Sequence, residues 1–378
     1  MNIYPYDLNI TFTAGCEYAN KYYISCNCFN GLFSIDESGN IDHIGYFPNE
    51  TTFRRNLHHR AFVYDNKIWF IPEYGFYLAI YNPSTNEFES IKITNNPKFR
   101  GIDSILYKDK LWIFSTDIND QPICVNLKSL SIDYGEKYRK IVPEKIKEKG
   151  IIFNGTLSFD GRTIWSSVWG TQFIYKFDLE LQKQEIIDTG NPDLCIACVA
   201  YKKDLYFTVL GDLAVYSFDV ETKVINKYPV DDIPPTGRQL KYCNILNCKD
   251  RVIILPETGE MIQELDEEEQ RFVGKYRIPK TVISIEDRCR TEWRRFLYYG
   301  VENNKLVIYP FKTSGLITID LYDESVSSEE YVFDKEKLEH IFKDEYRVKI
   351  SDEMLSKPII KESYLYTLER FLDAVEER

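Results

Sequence analysis

Short apolar strands recur along the chain at intervals of 41 to 54 residues. Most copies read like IWFI, LWIF or LYFT, and they start at Tyr22, Ile68, Leu111, Ile164, Leu205, Val252 and Leu306. Another apolar strand precedes each copy, usually across a short polar turn. Two such runs joined by a tight turn are typical of a β-hairpin.

A second repeating phrase follows each copy. A third strand ends at Asp or Asn, and a turn and a fourth strand come next. These two side chains favour a turn because they can accept a hydrogen bond from the backbone two residues further on. The turn residues are Asp36, Asn82, Asp178, Asp219 and Asp320, with looser copies at Asn126 and Asp266.

Seven units of about four antiparallel strands predict an all-β fold, a β-propeller of seven four-stranded blades. Six blades is the alternative, if the first or last copy belongs to a single closing blade. Each blade cannot bury both faces alone, and stacking the blades in a ring buries them against each other.

The phrase Tyr-x-Phe-Asp-x-Glu-Thr at residues 216–222 resembles the turn between the third and fourth strands of kelch repeats. The repeated region, residues 8–333, is therefore similar to the kelch-like propellers. The double glycine that kelch repeats carry after the second strand is absent from every copy. For this reason no kelch function is carried over to this chain.

The pattern changes to a helical one after Phe333, so residues 334–378 are predicted to form a C-terminal helical extension. Its second helix has an apolar stripe with a period of 3.6 residues. The stripe consists of Tyr364, Leu365, Leu368, Phe371, Leu372 and Val375. Docking of this tail on the propeller itself is one interpretation. A homo-oligomer or partner contact through the helices is the other.

The chain is acidic, with 59 Asp and Glu against 47 Lys and Arg and a net charge of −12. Such a surface repels phosphates, which argues against a nucleic-acid partner. The sequence starts without a signal-peptide pattern, and no apolar run approaches the roughly 18 residues of a membrane helix. Nine irregularly spaced cysteines are typical of reduced thiols. These features predict a cytoplasmic protein with no membrane contact.

One basic stretch, FRRNLHHRAF at residues 53–62, stands out from this acidic background. The repeat places it in the loop before the innermost strand of the second blade, and several matching loops also carry arginine. In propellers such loops, together with those between second and third strands, collect at one face around the central channel. We therefore expect an arginine-rich funnel there. Its candidate ligand-binding residues are Arg54, His58, Arg60, Tyr74, Arg100, Asp103, Asn154, Trp169, Arg238, Tyr242, Trp293 and Arg295.

Arginine suits such a site because its planar fork binds carboxylate or phosphate with two hydrogen bonds and stacks on aromatic rings. The favoured hypothesis is a recognition module that binds an acidic peptide, an acidic segment of a partner protein, an acidic sugar or another small anion. Three alternatives stay open. The chain is an enzyme of lyase, epimerase or hydrolase type acting on an acidic carbohydrate or small anion, or a structural subunit assembled by its helices, or the arginines simply pair with acidic neighbours to hold the blades together.

Strand alternation divides the basic stretch further. If the strand starts near His58, then His58 and Arg60 face the channel and His59 packs on the other side; a register shift of one residue reverses this. Two adjacent histidines cannot easily bind one ion, and the cysteines lack zinc-site spacing. No metal and no cofactor are therefore expected. The sequence contains no catalytic motif such as G-x-S-x-G, H-E-x-x-H or a P-loop.

Overall fold

The computed structural model describes residues 12–27, 29–52, 54, 56–117, 120, 122–134, 153–231, 241–279, 296–302, 304–310 and 315–331. Within these residues the chain forms seven antiparallel sheets of four consecutive strands each. The predicted seven-bladed propeller is thereby confirmed. The described residues contain no helix long and apolar enough to cross a membrane. The predicted helical extension, residues 334–378, lies outside the described residues.

The four strands of each blade run from the centre of the ring to its rim. The inner strands are β1 (Phe12–Tyr18), β5 (His58–Tyr64), β9 (Gly101–Tyr107), β13 (Phe153–Phe159), β17 (Ile196–Tyr201), β21 (Tyr242–Cys248) and β25 (Phe296–Glu302). The second strands are β2 (Lys21–Cys26), β6 (Lys67–Pro72), β10 (Lys110–Ser115), β14 (Thr163–Val168), β18 (Leu205–Val209), β22 (Arg251–Pro256) and β26 (Lys305–Pro310).

The two remaining strands of each blade lie nearer the rim. The third strands are β3 (Leu32–Asp36), β7 (Tyr77–Asn82), β11 (Ile123–Asn126), β15 (Phe173–Asp178), β19 (Val215–Phe218), β23 (Met261–Asp266) and β27 (Gly315–Asp320). The outer strands are β4 (Ile41–Gly45), β8 (Glu87–Lys92), β12 (Ile132–Asp133), β16 (Lys183–Asp188), β20 (Ile225–Tyr228), β24 (Arg271–Arg277) and β28 (Val326–Glu330).

The turns between third and outer strands form as the sequence predicts. In all seven, the Asp or Asn side-chain oxygen accepts a hydrogen bond from the backbone N–H two residues on, at 2.8 to 3.1 Å. The looser copies at Asn126 and Asp266 behave like the others. This local bond explains why the same phrase recurs once per blade.

Neighbouring blades share their hydrophobic cores. Six buried clusters each combine residues of two consecutive blades; between blades 1 and 2, for example, Tyr23 packs with Phe70 and Tyr81. Blade 7 meets blade 1 without sharing a strand. There the hydroxyls of Tyr22 and Tyr309 lie 2.5 Å apart. We call this junction the seam.

A β-bulge interrupts the start of the inner strands. In six of the seven described inner strands one residue has no partner on the second strand; these residues are Thr13, His59, Ile102, Ala197, Cys243 and Leu297. In β13 the register shifts between Asn154 and Ser158. A bulge breaks the alternation of side chains and redirects them. The bulges occur at one end of the ring, where the candidate site residues lie.

Candidate functional site

The mouth of the propeller is the end at which the inner strands begin. The loops from each outer strand to the next inner strand meet the loops between second and third strands there. On blade 2 the relevant segments are the described residues 46–52, 54, 56–57, 73–76 and 93–100. They bring together several of the candidate residues predicted from the sequence.

The loop between β6 and β7 is held in place by the segment before β5. The Glu50 carboxylate is buried, and its Oε1 accepts hydrogen bonds from the backbone N–H groups of Phe76 at 2.5 Å and Tyr77 at 3.1 Å. The Leu57 carbonyl accepts one from the Glu73 N–H at 2.7 Å. A Cβ at Gly75 would lie 2.9 Å from Glu50 Oε1, so this close approach needs glycine. These hydrogen bonds fix the backbone of the loop and so fix the position of its aromatic rings at the mouth.

Three cations lie over the rings of this loop. The Arg54 guanidinium carbon is 4.1 Å from the centre of the Phe76 ring, and that of Arg100 is 4.9 Å from the Tyr74 ring. Lys92 Nζ lies 6.0 Å from the Tyr77 ring. Such pairs are electrostatically attractive, because the face of an aromatic ring is negative. We call these six residues the blade-2 patch.

Arg100 is also tied to a carboxylate beneath it. Its Nε and Nη2 donate to Glu73 Oε1 at 3.2 and 3.1 Å. The Glu73 side chain is 4% exposed, whereas that of Arg100 is 42% exposed. Burial raises the pKa of Tyr74, although the charge of Arg100 opposes this. The pair thus fixes Arg100 while leaving some of its guanidinium in solvent.

Arg54 and Lys92 differ from Arg100. Among the described residues, neither has a carboxylate within 4.0 Å. Their contacts with rings hold them in place without neutralising their charge. The blade-2 patch therefore carries net positive charge on the surface of an acidic protein.

His58 is fully buried between blades 1 and 2. Its Nδ1 lies 2.8 Å from Ser25 Oγ of blade 1, and its ring packs against Phe47 and Phe70. Burial, with a smaller contribution from His59, lowers the pKa of His58 to about 3. The ring is therefore neutral at pH 7 and joins two blades.

His59 lies on the other side of β5. Its Nδ1 is 3.0 Å from the carbonyl oxygen of Pro72, so this nitrogen carries the proton and donates it. Burial and the charge of Arg60 lower the pKa of His59 to about 3. The His59 ring is also buried, and it packs against Gly101 of blade 3. The expectation that His58 faces the channel was therefore wrong, since its ring packs against blade 1; the bulge at His59 interrupts the alternation of side chains in β5.

Arg60 connects blades 2 and 3. Its Nη1 donates to the Ser104 carbonyl at 2.7 Å and lies 3.6 Å from Asp103 Oδ1. Asp103 is buried and accepts hydrogen bonds from the N–H groups of Ser104 and Leu157. Burial raises the pKa of Asp103, and Arg60 opposes the shift. The sequence left open whether the arginines pair with acidic neighbours to hold the blades together. This contact between blades 2 and 3 is such a pair, and it occupies Asp103 and one nitrogen of Arg60.

Two further candidates lie elsewhere on the mouth. Trp169 follows β14 on blade 4 and is 41% exposed, so part of its ring lies in solvent. Tyr242, at the start of β21, is buried, and its hydroxyl donates to the Leu213 carbonyl of blade 5. Tyr242 therefore joins two blades and is not presented to solvent.

Four predicted residues cannot be assigned to this geometry. Asn154 lies in β13, and Arg238, Trp293 and Arg295 lie outside the described residues. Conversely, the sequence reasoning did not select Glu50, Phe76, Tyr77 or Lys92. The phrase PEYGFY at residues 72–77 was a usable signal, since it places three aromatic rings in one short mouth loop.

Comparison with known proteins supports the architecture alone. No protein-family model and no curated protein matches the chain. Virginiamycin B lyase from Staphylococcus aureus is similar in structure, with a TM-score of 0.56 at 11% identity over 80% of this chain and 92% of the lyase. The catalytically inactive lyase with quinupristin gives a TM-score of 0.56 at 10% identity over 86% and 96%.

The WD40 repeats of RRP9 are also similar, with a TM-score of 0.51 at 8% identity over 79% of this chain and 87% of that one. Identities this low show a shared propeller fold and no shared activity. The similarity to kelch repeats is not confirmed by these likenesses.

Proposed function

We propose that this protein is a recognition module whose blade-2 patch binds an acidic segment of a partner protein. The observation that carries the proposal is the arrangement of Arg54, Lys92 and Arg100 over three rings of one mouth loop. A carboxylate that contacts Arg54 or Lys92 meets a cation with no carboxylate partner among the described residues. The aromatic rings supply apolar contact area beside it.

Because the whole protein has a net charge of −12, this attraction acts only at short distance. The whole surface repels an acidic segment at long distance, whereas the patch attracts it at contact. Because charges are screened beyond about 10 Å at 0.1 M salt, the patch dominates once the segment is bound. We therefore expect slow association at low ionic strength and an affinity set mainly by local contacts.

A cytoplasmic location belongs to the proposal, and the irregular spacing of the nine cysteines, typical of reduced thiols, supports it. A kelch-like ancestry is a further hypothesis, supported by the turn phrase at residues 216–222.

The test uses fluorescence anisotropy with a labelled peptide of alternating Glu and Tyr. The double variant Arg54→Glu/Lys92→Glu should weaken binding by a factor of about 100, since each lost charge-assisted contact accounts for roughly tenfold. The matched control is Lys223→Glu. Its Nζ lies 5.3 Å from the Phe218 ring, in the turn between β19 and β20 on the opposite face.

The control should bind the peptide like the unaltered protein. Equal loss in the control would mean that total charge matters and the patch does not. No binding of any acidic peptide by the unaltered protein would reject the proposal. Turnover of an acidic sugar that survives the double variant would favour the enzyme alternative instead.

A further inference from the structure

The outer edge of blade 2 ends beside the blade-2 patch. β8 runs toward the mouth and finishes at Lys92, which is one of the cations of the patch. Its six residues pair in unbroken register with β7, from Glu87 opposite Asn82 to Lys92 opposite Tyr77. Among the described residues, no strand pairs with the other edge of β8. This edge is therefore open to a further strand.

The register shows which backbone groups this edge offers. In an antiparallel pair, residues alternate between exchanging hydrogen bonds with the partner strand and directing their N–H and C=O groups away from it. The Ile93 N–H donates to the Phe76 carbonyl at 2.9 Å, just beyond the last strand pair. Counting back from this bond, Phe88, Ser90 and Lys92 direct their backbone groups outward. No backbone hydrogen bond to another segment of the described chain uses these outward groups.

The other outer strands are less suited to an acidic strand. β4 and β24 each contain a β-bulge, which disturbs pairing at an edge. β12 has only two residues and β20 only four. β16 and β28 are regular, but β16 ends at the mouth in Asp188 and β28 ends there in Glu329 and Glu330, which repel a carboxylate. Of the seven outer strands that the structure describes, only β8 joins a regular open edge to a terminal cation.

We propose that the acidic segment of the partner binds as an extended strand that adds to β8 and makes blade 2 five-stranded. This inference rests on the proposed function and adds the conformation of the bound segment. In antiparallel pairing, which is slightly more stable than parallel pairing, the added strand runs away from the mouth. An acidic residue at its start lies opposite Lys92, and acidic residues before it continue over the mouth toward Arg54. Main-chain hydrogen bonds supply affinity, and side chains supply the choice of partner.

The side chains of β8 define what the added strand should carry. Directly opposite residues in an antiparallel pair share one face of the sheet and contact each other. An acid opposite Lys92, an apolar residue opposite Ile91 and a cation opposite Glu89 match these neighbours. A β-branched polar residue opposite Ser90 and an aromatic residue opposite Phe88 complete the pattern. The probe peptide is therefore Glu-Glu-Val-Thr-Lys-Tyr, in which the second glutamate lies opposite Lys92.

The first test methylates single backbone nitrogens of this peptide and measures its binding to the full chain by fluorescence anisotropy. The threonine N–H donates to the Ser90 carbonyl in the proposed register, so its methylation should weaken binding at least about tenfold. The N–H of the peptide lysine points away from β8, so methylation there should change the affinity by less than about twofold. Equal effects of the two methyl groups would overturn strand addition.

The second test changes the edge of the protein. Ser90→Pro removes an outward N–H, and an edge strand tolerates proline at such a position, so circular dichroism and thermal unfolding should show a folded protein. Its binding of the peptide should weaken at least about tenfold. Ser328→Pro is the matched control, because Ser328 also directs its N–H outward, from the outer strand of blade 7. This control should bind the peptide like the unaltered protein.

The outcomes separate this inference from the proposed function. If Ser90→Pro and the methylated threonine leave binding intact while Arg54→Glu/Lys92→Glu abolishes it, the patch binds the segment without strand addition. In that case the inference is wrong and the proposed function stands. If none of these changes affects binding, the proposed function fails as well. A loss in Ser328→Pro equal to that in Ser90→Pro would also overturn strand addition to β8.

Discussion

The two ends of the propeller hold their cations in different ways. On the face opposite the mouth, some cations lie over rings, as Lys223 does, but two at or beside turns between inner and second strands pair with carboxylates of the next blade. Lys202 Nζ lies 2.5 Å from Glu267 Oε1, and Arg251 Nη1 lies 3.0 Å from Glu324 Oε1. At the mouth of blade 2, cations lie over rings, and the acids nearby are buried beneath them.

This difference separates charges that hold the ring together from charges that are available to a ligand. The exposed pairs of the opposite face satisfy each other and connect blades. In the blade-2 patch, Glu50 is used by backbone N–H groups and Glu73 by Arg100. Arg54 and Lys92 have no carboxylate within 4.0 Å among the described residues, which leaves their charge to the proposed partner contact. Four measurements test this difference between the two faces.

The largest expected effect is a loss of stability at acid pH, caused by His58 and His59 at the mouth end of β5. Folding lowers the pKa of His58 and His59 from 6.5 to about 3, so the folded state binds fewer protons than the unfolded chain. Stability therefore falls as the pH drops below about 6.5 and keeps falling toward pH 3. Each histidine should contribute about 1.4 kcal/mol per pH unit in this window. Urea unfolding at pH 7, 6 and 5 measures it.

The informative quantity is the change in the free energy of unfolding per pH unit, and not the stability at one pH, because either substitution also alters packing. His58→Asn and His59→Gln should each reduce the loss of stability per pH unit by about 1.4 kcal/mol. Asp103 opposes the trend slightly, because its pKa is raised and its neutral form is favoured in the folded protein. Identical slopes in all three proteins would show that neither histidine is held neutral.

The second effect comes from the acid beneath Arg100. Glu73→Gln keeps the shape of the buried side chain and removes its charge, so it should lower the free energy of unfolding by about 1–3 kcal/mol. Glu89→Gln is the matched control, since Glu89 pairs with Lys67 at 2.7 Å and is half-exposed. A loss in the control as large as in Glu73→Gln would remove the distinction between buried and exposed acids.

The third effect is the stability contributed by a cation over a ring. Arg54→Ala should cost about 0.5–1 kcal/mol, the usual range for exposed cation–π contacts. Its effect on acidic-peptide binding should be larger than this change in stability. If thermal unfolding shifts strongly while binding is unchanged, Arg54 is a structural residue, and the blade-2 patch loses its main cation.

The smallest effect belongs to the opposite face. Lys202→Ala breaks the pair with Glu267 and should cost about 0.5 kcal/mol or less, because exposed ion pairs are screened and entropically costly. The difference from the unaltered protein should vanish in about 1 M salt, where the screening length is only about 3 Å. If the loss of stability in Lys202→Ala persists at high salt, then Lys202 contributes more than an exposed ion pair.

The repeat made the fold predictable from the sequence. Each blade repeats the same strands, and the Asp or Asn turn is a local bond that requires no knowledge of tertiary structure. Even the looser turns at Asn126 and Asp266 follow the rule. Blade number and strand order then follow from counting the copies.

The candidate site was only partly predictable. The arginines of the mouth were visible, but the packing of His58 against blade 1 was not, since an apolar pattern indicates neither a bulge nor the contacts with a neighbouring blade. The cation–ring pairs join residues from separate segments, such as Arg54 with Phe76 and Arg100 with Tyr74. Sequence patterns within one strand cannot reveal such contacts, because they depend on how loops of neighbouring strands meet.

The seam between blades 7 and 1 is also the place where neighbouring blades should separate most easily. The other six junctions lie between blades that are consecutive in the chain, while this one is held by contacts such as Tyr22 with Tyr309 and Phe12 with Tyr331. Fluctuations that separate neighbouring blades should therefore start there, as local unfolding starts where cohesion is weakest. A small cavity at this junction is lined by residues of blades 7, 1 and 2, among them Tyr22 and Tyr309. Side chains that pack around it therefore keep the whole ring closed, whereas core side chains elsewhere join only two consecutive blades.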